Sequence, residues 1–309
     1  MPLILKLTLY HSPFIITVLF FGEIIALSVA LCWTASAVFF ELAGRKIGSI
    51  SVNIIRLGVS FILLGVTLLV TKQSFIPMDA TSEQWFWLGL SGIIGLFLGD
   101  MLLFRSYVLI GSRTSALVMS LVPAITTLVS WFFLHETLPL KSIIAIVVSM
   151  SGIMIAVADK RMRLNVPIKG VLLAFGGATG QSLGLILSKK GIGTDYDPIA
   201  ATQIRILFAL IGFVLLMTYT KRWHRLRQAL THRKAFTQVS IGSFVGLYLG
   251  VSLSLLAIQH TKTGIASTFM ALVPIFIILP SALIFKEKIK VSHVIGAIVS
   301  VIGVALFFI

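Results

Sequence analysis

The amino-acid sequence predicts an all-α integral membrane protein with ten transmembrane helices, arranged as two five-helix repeats of inverted topology. Three observations support this class: an apolar composition, ten long apolar windows without charge at their centres and an internal repeat. Of the 309 residues, 58% are hydrophobic and 11% are charged, and the mean hydropathy is +1.06. A soluble domain does not reach these values, because its surface must carry many polar side chains.

Ten apolar windows set the expected number of helices. A helix needs about 20 apolar residues to cross the hydrocarbon core of a membrane. A membrane β-barrel would instead show alternating segments of about ten residues, whereas helices satisfy their own backbone polar groups in lipid. The windows without charge at their centres, numbered here as spans 1 to 10, are 21–41, 50–71, 84–105, 113–134, 140–158, 168–188, 198–219, 237–258, 263–285 and 291–309.

The chain repeats itself at an offset of 151 residues. The matched pairs include Met119 with Met270, Pro123 with Pro274, Glu136 with Glu287, Ser149 with Ser300, Gly152 with Gly303, Gly95 with Gly246, and Gly99 with Gly250. Each repeat holds five spans, an odd number, so two repeats joined by a short connector must enter the membrane from opposite sides. We therefore expect a first repeat at 22–158 and a second at 168–309.

Residues 1–21 form an N-terminal extension that has no counterpart ahead of the second repeat. The extension is apolar but is interrupted by Lys6, His11 and Pro13, and no small-residue cleavage site follows it. A removable signal peptide is therefore not expected. Either the extension lengthens the first helix, or the true start of the protein lies downstream of it.

Basic residues lie almost wholly between the apolar spans. The net charge of +15 would suggest nucleic acid in a soluble protein, but here the charges are better explained as orientation signals, so no nucleic-acid partner is expected. Loops after odd-numbered spans carry seventeen Lys and Arg residues, whereas the N-terminus and the loops after even-numbered spans carry six. The positive-inside rule then places the odd loops in the cytoplasm and both termini outside.

The longest basic loop, 221–234, contains Trp223, Leu226 and Leu230 at helical spacing opposite several cationic side chains. This pattern predicts a short helix that lies on anionic lipid headgroups. Membrane lipids are therefore an expected partner.

Short motifs recur in both repeats. In the first repeat they are G-x-x-x-G-D-x-L-x-F-R-x-Y at 95–107, S-L-V-P at 120–123, L-H-E-T-L at 134–138 and S-x-x-G at 149–152. In the second they are A-L-V-P at 271–274, F-K-E-K-I at 285–289 and S-x-x-G at 300–303. Together these motifs resemble the EamA-like family of the drug/metabolite transporter superfamily. The resemblance therefore covers the chain from Gly22 to its end.

The resemblance implies a ten-helix secondary transporter of the plasma membrane, as in a bacterial inner membrane. Such proteins commonly export amino acids, other metabolites or toxic compounds, so we expect a small organic solute as substrate and protons as the candidate coupling ion. A flippase or carrier of a lipid-linked metabolite is the alternative function. The family is expected to have cytoplasmic termini, opposite to the charge count, so the orientation of the termini is left open.

Two matched prolines mark candidate cavity walls. Pro123 and Pro274 each fall about eleven residues into a span. A mid-helix proline removes a backbone hydrogen bond and bends the helix, and in a membrane the freed carbonyl must be satisfied by protein or by a water-filled cavity. A pair of kinked or broken helices at corresponding positions indicates a binding site, and plain packing kinks are the alternative.

Three ionisable side chains are candidates for the transport cavity. Arg56 and Arg205 each lie about seven residues into a span, and Asp100 lies in the last third of span 3. Such groups line a cavity or form ion pairs, although arginines near helix ends also snorkel to headgroups. Because its repeat counterpart is the apolar Val251, Asp100 is either a proton-coupling site, a polar group at the cavity mouth or the partner of an arginine. Arg105 lies about 140° around the helix from Asp100, so Arg56 is the better partner.

Other polar side chains complete the candidate cavity. Trp33, its repeat counterpart Gln181, and Tyr248 lie in the middle of spans, where they could bind a solute by hydrogen bonds and ring stacking. The alternative is contact between helices, which contributes about 0.6 kcal/mol on average in membranes. Glycines of span 6, including Gly180 and Gly184, are expected to let helices approach closely.

Carboxylates at the ends of spans are expected to anchor loops. Glu136 and Glu287 end spans 4 and 9, and Glu23 lies at the mouth of span 1.

The sequence gives no indication of catalysis, a cofactor or a metal site. All six histidines lie outside the span centres, and neither H-E-x-x-H nor the phosphate-binding G-x-x-x-x-G-K-[ST] pattern occurs. We expect no enzyme activity, no cofactor and no bound metal. The oligomeric state is left open.

Overall fold

The computed structural model describes residues 20–157, 167–276, 278, 280, 283 and 291–307. Every regular element among these residues is a helix, which confirms the all-α class. Residues 1–19 of the N-terminal extension, the connector between the repeats and Glu287 lie outside the described residues.

The helices follow the predicted spans closely. Those of the first half are α1 (Phe21–Ile47), α2 (Ser49–Lys72), α3 (Ser82–Ser91), α4 (Asp100–Met119), α5 (Val122–Phe133) and α6 (Leu140–Val157). Those of the second half are α7 (Ile168–Ile192), α8 (Pro198–Thr220), α9 (Trp223–Thr231), α10 (Arg233–Ser243), α11 (Ser252–His260), α12 (Thr263–Met270), α13 (Val273–Phe276) and α14 (Val291–Ala305). Two π-helical segments, Gly92–Gly99 and Phe244–Val251, join α3 to α4 and α10 to α11.

Six helical stretches among the described residues are long and apolar enough to cross a membrane. They are Phe21–Gly44, Ser49–Lys72, Ser82–Ser106, Ile168–Ile192, Pro198–Thr220 and Arg233–His260. Shorter apolar helices occupy the remaining predicted spans: Val122–Phe133, Leu140–Ile155, Thr263–Phe276 and Val291–Ala305. The protein is thus helical with several candidate spans, and the count of ten crossings stays a prediction.

Many large apolar side chains face outward, and many small polar ones are buried inside the bundle. Val70 and Phe132 are both 78% exposed, whereas Ser60, Ser182 and Thr202 are fully buried. A soluble protein rarely exposes so much apolar surface, but lipid is as apolar as these side chains. Helices in membranes instead pack through small and polar residues, as they do here.

Local signals in the sequence set several helix ends. Gly48 joins α1 to α2 with a φ of +79°, a conformation that glycine adopts without steric cost. Thr81 begins α3 through a capping box with Gln84. Asp197 caps α8 by accepting from the backbone of Ile199 at 3.0 Å.

The chain reverses direction within the helical stretch Asp100–Met119. The sequence predicted a loop between spans 3 and 4, but the backbone is helical throughout this range. Even so, the hydroxyls of Ser106 and Ser115 lie 2.8 Å apart, whereas nine residues of straight helix would separate them by about 13.5 Å. The predicted turn is therefore present, although it is made from helical residues.

Helices α6 and α14 pack through a reciprocal contact. The hydroxyl of Ser149 donates to the carbonyl of Ser300 at 3.4 Å, and that of Ser300 donates to the carbonyl of Ser149 at 3.2 Å. Each serine backbone also lies directly against the glycine of the opposite helix, Gly152 or Gly303. Because these residues are repeat counterparts, the contact has the form expected at a two-fold axis.

Candidate functional site

A buried ion pair joins α2 to α4. Arg56 donates through its guanidinium to Oδ2 of Asp100, and the two residues are only 7% and 5% exposed. The rings of Phe40 and Phe104 lie 5.6 and 5.3 Å from the guanidinium carbon and surround it with aromatic surface. Asp100 thus has the partner that the sequence favoured, and Arg105 is exposed. Both charges lie away from water, so each depends on the other.

Gln181 brings the second half of the chain to the same carboxylate. Its side-chain amide donates to Oδ1 of Asp100 at 2.7 Å and lies 3.4 Å from the carbonyl of Gly95. Asp100 therefore binds a residue of each predicted repeat through its two oxygens. The carboxylate holds the junction of the two halves together.

Arg205 approaches the same π-helical segment from α8. It is 4% exposed, and its Nε donates to the hydroxyl of Ser91 at 2.9 Å. Its Nη2 lies 3.7 Å from the position that a Cβ would occupy at Gly95. The two arginines therefore flank the segment Gly92–Gly99, with Arg205 at its start and Arg56 at its end.

Glycines allow this segment to contact α7 backbone to backbone. A Cβ added at Gly184 would lie 2.7 Å from the Cα of Gly95, and one at Gly180 would lie 2.8 Å from the Cα of Gly99. Such distances leave no room for a side chain. The close approach expected from the glycines of span 6 is therefore present, and it brings Gln181 within reach of Asp100.

Two serines of the cluster were missed by the sequence analysis. The Ser91 hydroxyl lies 2.7 Å from that of Ser188 and donates to the carbonyl of Gly184 at 2.6 Å. Ser91 precedes Gly95 by four residues and Ser188 follows Gly184 by four. This spacing of small residues is typical of helix contacts in membranes, so the signal was available. We refer to Arg56, Ser91, Asp100, Gln181, Ser188 and Arg205 as the central cluster.

Trp33 and Tyr248 belong to a separate contact on the second π-helical segment. Trp33 donates from its indole to the carbonyl of Gly246 at 3.1 Å. The Tyr248 hydroxyl lies 2.9 Å from that of Thr67, and its ring stacks on Phe244. Within the described residues, neither side chain forms a hydrogen bond with the central cluster. The structure therefore divides the predicted cavity residues into two groups.

The two prolines begin new helices and do not bend continuous ones. The chain leaves helical geometry at Ser120 and Leu121 and again 151 residues later, and Pro123 and Pro274 are the second residues of α5 and α13. Of the kinked or broken helices that the sequence predicted, the structure has breaks. The mid-helix position is corrected to a position near the helix start, where a proline sacrifices no hydrogen bond. The Ser182 hydroxyl lies 3.3 Å from the carbonyl of Val122, so the first break lies beside Gln181.

A set of charged and polar loop residues joins the halves at the ends of α2 and α7. Lys72 Nζ lies 2.8 Å from Asp79 and 3.5 Å from Asp197, and the hydroxyl of Tyr196 lies 3.5 Å from Asp79. The hydrogen bond from Lys72 lowers the pKa of Asp79, and burial raises the pKa of Tyr196, with a further contribution from Asp79. We call Lys72, Asp79, Tyr196 and Asp197 the loop ion cluster.

Two helix-terminal carboxylates also bridge the halves. Glu136 accepts from the backbone N–H and the hydroxyl of Thr263 at 2.8 and 2.9 Å, so it places a negative charge at the N-terminus of α12. Glu23 accepts from the hydroxyl of Thr261 at 2.6 Å. Both carboxylates anchor the loop between α11 and α12, as expected from their positions.

The basic loop 221–234 forms the predicted amphipathic helix, α9. Leu226 is buried against the bundle, whereas Trp223 and Leu230 are 42% and 50% exposed. Trp223, Leu226 and Leu230 line a surface pocket of about 410 Å³ together with His224 and Arg227. Contact with lipid headgroups stays a prediction.

No group of three or more His, Cys, Asp or Glu side chains is placed to hold a metal ion in the part of the chain that the structure describes.

Comparison with known proteins gives consistent matches along the chain. The model of the EamA-like transporter family matches residues 20–158 and again residues 168–309. An uncharacterized transporter of Clostridium kluyveri is 24% identical over 230 residues, which are 73% of this chain and 73% of that protein. The uncharacterized transporter YetK of Bacillus subtilis is 23% identical over 294 residues, 91% of this chain and 85% of that protein.

A solved crystal structure shares the fold. Its TM-score is 0.73 at 15% sequence identity, and the match covers 93% of this chain and 96% of that one.

Proposed function

Because the chain belongs to the EamA-like transporter family of the drug/metabolite transporter superfamily, we propose that it is a secondary transporter that exports a small organic solute across the plasma membrane. The substrate is an amino acid, another metabolite or a toxic compound, and access to its site alternates between the two membrane faces. The family and the names of the relatives indicate a transporter and not an enzyme.

The observation that carries this proposal is the central cluster. Arg56 and Arg205 each lie seven residues into a helix, about 10 Å from its end, and Gln181 lies near the middle of α7. Ionisable groups at such depth are costly and mark solute or ion pathways. Because both halves of the chain contribute side chains, any movement of one half against the other must rearrange the cluster.

Ten membrane-crossing helices in two inverted repeats explain the matched contacts. Gln181 contacts the carbonyl of Gly95, and its counterpart Trp33 donates to the carbonyl of Gly246, the counterpart of Gly95. Equivalent residues thus make equivalent bonds in the two halves, as the α6 and α14 serines also do. Inverted repeats give a transporter two related conformations, because each half can adopt the arrangement of the other.

The loop ion cluster and Glu136 keep one end of the bundle closed. Their contacts join the halves at the ends of α2, α5 and α7. We infer that these contacts break when access switches to that face. Exposed ion pairs suit this role, because each contributes only about 0–1 kcal/mol.

Asp100 is the proposed site of proton coupling. The carboxylate is paired with Arg56 in this conformation, and a change in helix positions that separates the pair would favour protonation of a buried carboxyl. Its counterpart Val251 cannot titrate, so a single proton site per molecule is expected.

Flux in proteoliposomes tests the proposal. A screen of cells that overproduce the protein, across amino acids, nucleosides and dyes, identifies the solute. Wild-type proteoliposomes should then accumulate it under an imposed pH gradient. Asp100→Asn should lose the gradient-driven uptake and retain solute exchange, whereas Asp195→Asn, which changes an exposed aspartate, should keep both. Gradient-driven uptake that is unchanged in Asp100→Asn would remove the coupling role, and absence of any flux would remove the transport function.

A further inference from the structure

The central cluster carries more positive than negative charge. Arg56, Arg205 and Asp100 are 7%, 4% and 5% exposed, and Asp100 is ion-paired with Arg56. In the part of the chain that the structure describes, no carboxylate lies within 4.0 Å of the Arg205 guanidinium. One buried cation therefore remains without a counter-ion in contact.

The described residues satisfy few of the hydrogen-bond donors of the two guanidiniums. A guanidinium carries five N–H donors. Among the described residues, Arg205 has one hydrogen bond, from Nε to Ser91, and the buried Nε of Arg56 has no partner. An unpaired buried cation is costly, so a further group that supplies negative charge or acceptors would stabilise the arrangement.

The surroundings of Arg205 hold the guanidinium in place without neutralising it. Ser91, which accepts from Nε, is itself held by Ser188 and by the carbonyl of Gly184. Nη2 of Arg205 lies 3.7 Å from the position that a Cβ would occupy at Gly95, where the backbone of α7 also packs. A planar guanidinium fixed at one edge presents its other donors as a fork, the geometry that carboxylates and phosphates bind with two oxygens.

We propose that the transported solute carries one anionic group, a carboxylate or a phosphate, and that Arg205 binds this group directly. The proposal rests on the transport function proposed above and specifies the substrate class of the same site. In this conformation Arg56 is paired with Asp100, so the net charge of the cluster matches a single negative charge. A cationic solute without an acidic group would be repelled by the same cluster.

Matched pairs of small molecules test the proposal by binding. The probes are butyrate against butyramide, L-threonine against L-threoninamide, and glycerol phosphate against glycerol. Thermal unfolding of the purified protein in detergent reports binding, because a ligand that binds only the folded state raises the melting temperature. At least one acidic member should stabilise the wild-type protein, while its uncharged or amide partner should not.

Substitutions assign the effect to Arg205. Arg205→Gln should weaken the affinity for the acidic probe by about tenfold or more, because a charge-assisted hydrogen bond is lost. Arg205→Lys should retain part of this affinity. Arg225→Gln on the exposed part of α9 is the matched control and should behave as wild type. Size-exclusion elution and the helical circular dichroism signal show whether each variant is folded. If Arg205→Gln is not folded, the affinity of Arg205→Lys for the acidic probe is the test, and an affinity equal to that of the wild type would overturn the proposal.

The possible outcomes separate this proposal from the transport function. Amide partners that stabilise as well as the acids, stabilisation that survives in Arg205→Gln, or no stabilisation by any probe would each overturn the anionic substrate class. Transport of a cationic solute with unchanged rate in Arg205→Gln would overturn it as well, while leaving the transport function intact. Arg205-dependent binding of acids without any flux would keep the anion site and contradict transport.

An anionic lipid headgroup carries the same kind of phosphate group, so a separate experiment distinguishes a headgroup from a soluble solute. Nanodiscs of phosphatidylcholine alone are compared with nanodiscs that also contain phosphatidylglycerol. Stabilisation by phosphatidylglycerol that disappears in Arg205→Gln would assign the anion to a headgroup and overturn a soluble solute. The expected result is a response to the soluble acids, and any stabilisation by phosphatidylglycerol through α9 should be the same in Arg205→Gln as in the wild type.

Discussion

At the scale of single residues, the Arg56–Asp100 pair has physical consequences that set it apart from a surface ion pair. Both side chains are more than nine-tenths buried, and removing charges from water costs several kcal/mol for each ion. The attraction between them and the amide of Gln181 offset this cost. Removal of one partner therefore leaves a buried charge with no compensation.

Substitution of one partner should destabilise the fold more than substitution of both. We expect Arg56→Met to lower the free energy of unfolding by about 3–5 kcal/mol, because Asp100 is left unpaired, and the double variant Arg56→Met, Asp100→Leu to recover most of this loss. Unfolding in detergent mixtures, followed by circular dichroism, measures both values. If the loss of unfolding free energy in the double variant equalled the sum of the losses in the two single variants, the two side chains would not be coupled.

Much of the central cluster could be predicted residue by residue. Asp100 lies within an apolar span and needs a partner, and helix geometry excluded Arg105 and left Arg56. The sequence could not show that Arg205 and Gln181 reach the same place, because that depends on how α7 and α8 pack. Ser91 was missed because a serine alone is uninformative, although its spacing to Gly95 carried the signal.

At the scale of helices, breaks and π-helical segments occur at corresponding positions in the two halves. Helical geometry is lost at Ser120 and Leu121 and again 151 residues later, and both π-helical segments lie about 25 residues before these breaks. π-Helical turns weaken the regular backbone pattern and are common at functional sites. The features most relevant to transport are thus those in which the helices are irregular.

The prolines should matter for turnover more than for assembly. Pro123→Ala and Pro274→Ala each allow the preceding helix to continue through the break, which should slow solute exchange by about tenfold or more, because misplaced helices are costly to activity. Pro198→Ala is the control, since this proline also begins a helix but lies next to a loop. Expression and elution from size exclusion should be unchanged, and exchange rates in proteoliposomes equal to wild type would count against cavity walls at the breaks.

The α6–α14 contact gives a prediction about symmetry. Gly152→Ala and Gly303→Ala each place a methyl group against the backbone of a serine on the opposite helix, so each should cost about 1–3 kcal/mol through overpacking. Gly58→Ala, whose methyl meets no atom within 4 Å, should instead stabilise by about 0.5–1 kcal/mol. Thermal unfolding compares the three, and a clearly unequal cost at the two matched glycines would argue against equivalent packing.

The sequence predicted helix positions well but not their local geometry. Apolar length determines where a helix crosses a membrane, and this is readable from composition. Whether a proline bends a helix or begins a new one depends on neighbouring backbone, as Pro123 shows. The π-helical segments share their glycines with ordinary packing motifs, so no pattern distinguished them.

At the scale of the whole molecule, several contacts between the two halves are matched, and Asp100 is an exception. Equivalent residues join α6 to α14 and join each π-helical segment to the opposite half. Asp100 breaks the symmetry, because its counterpart Val251 is apolar. In the proposed mechanism, the repeated features supply the two related conformations, and the unmatched Asp100 supplies the group that takes up the proton.

The loop ion cluster should respond to pH only in strong acid. Asp79 has a lowered pKa in the folded protein, so its pairing with Lys72 is fully present above the ordinary aspartate pKa of about 3.9 and is lost as the pH falls through the lowered value. Hydrogen exchange of the loop 73–81, corrected for intrinsic rates, should therefore be unchanged between about pH 7 and pH 5.

Substitution of Lys72 should break the Lys72–Asp79 pair at neutral pH, as acid does only below about pH 4. Lys72→Gln should speed exchange of the same loop by less than about tenfold, because exposed pairs contribute little, and Lys141→Gln in another exposed position should not. A loop that opens already at pH 5, or the same rate in Lys72→Gln as in the control, would contradict a closing role.

The most direct test of the central claim, that solute passes through the central cluster, is counterflow of the identified solute in proteoliposomes. This exchange needs no ion gradient, so it reports the pathway and not the coupling. Gln181→Leu removes the amide that joins Asp100 to the second half, and Gln228→Leu changes an exposed glutamine of α9 that lies outside both clusters. We expect counterflow to fall by about tenfold or more in Gln181→Leu, because a hydrogen bond to a charged group is lost, and to persist in Gln228→Leu. Wild-type counterflow in a folded Gln181→Leu protein would contradict the account.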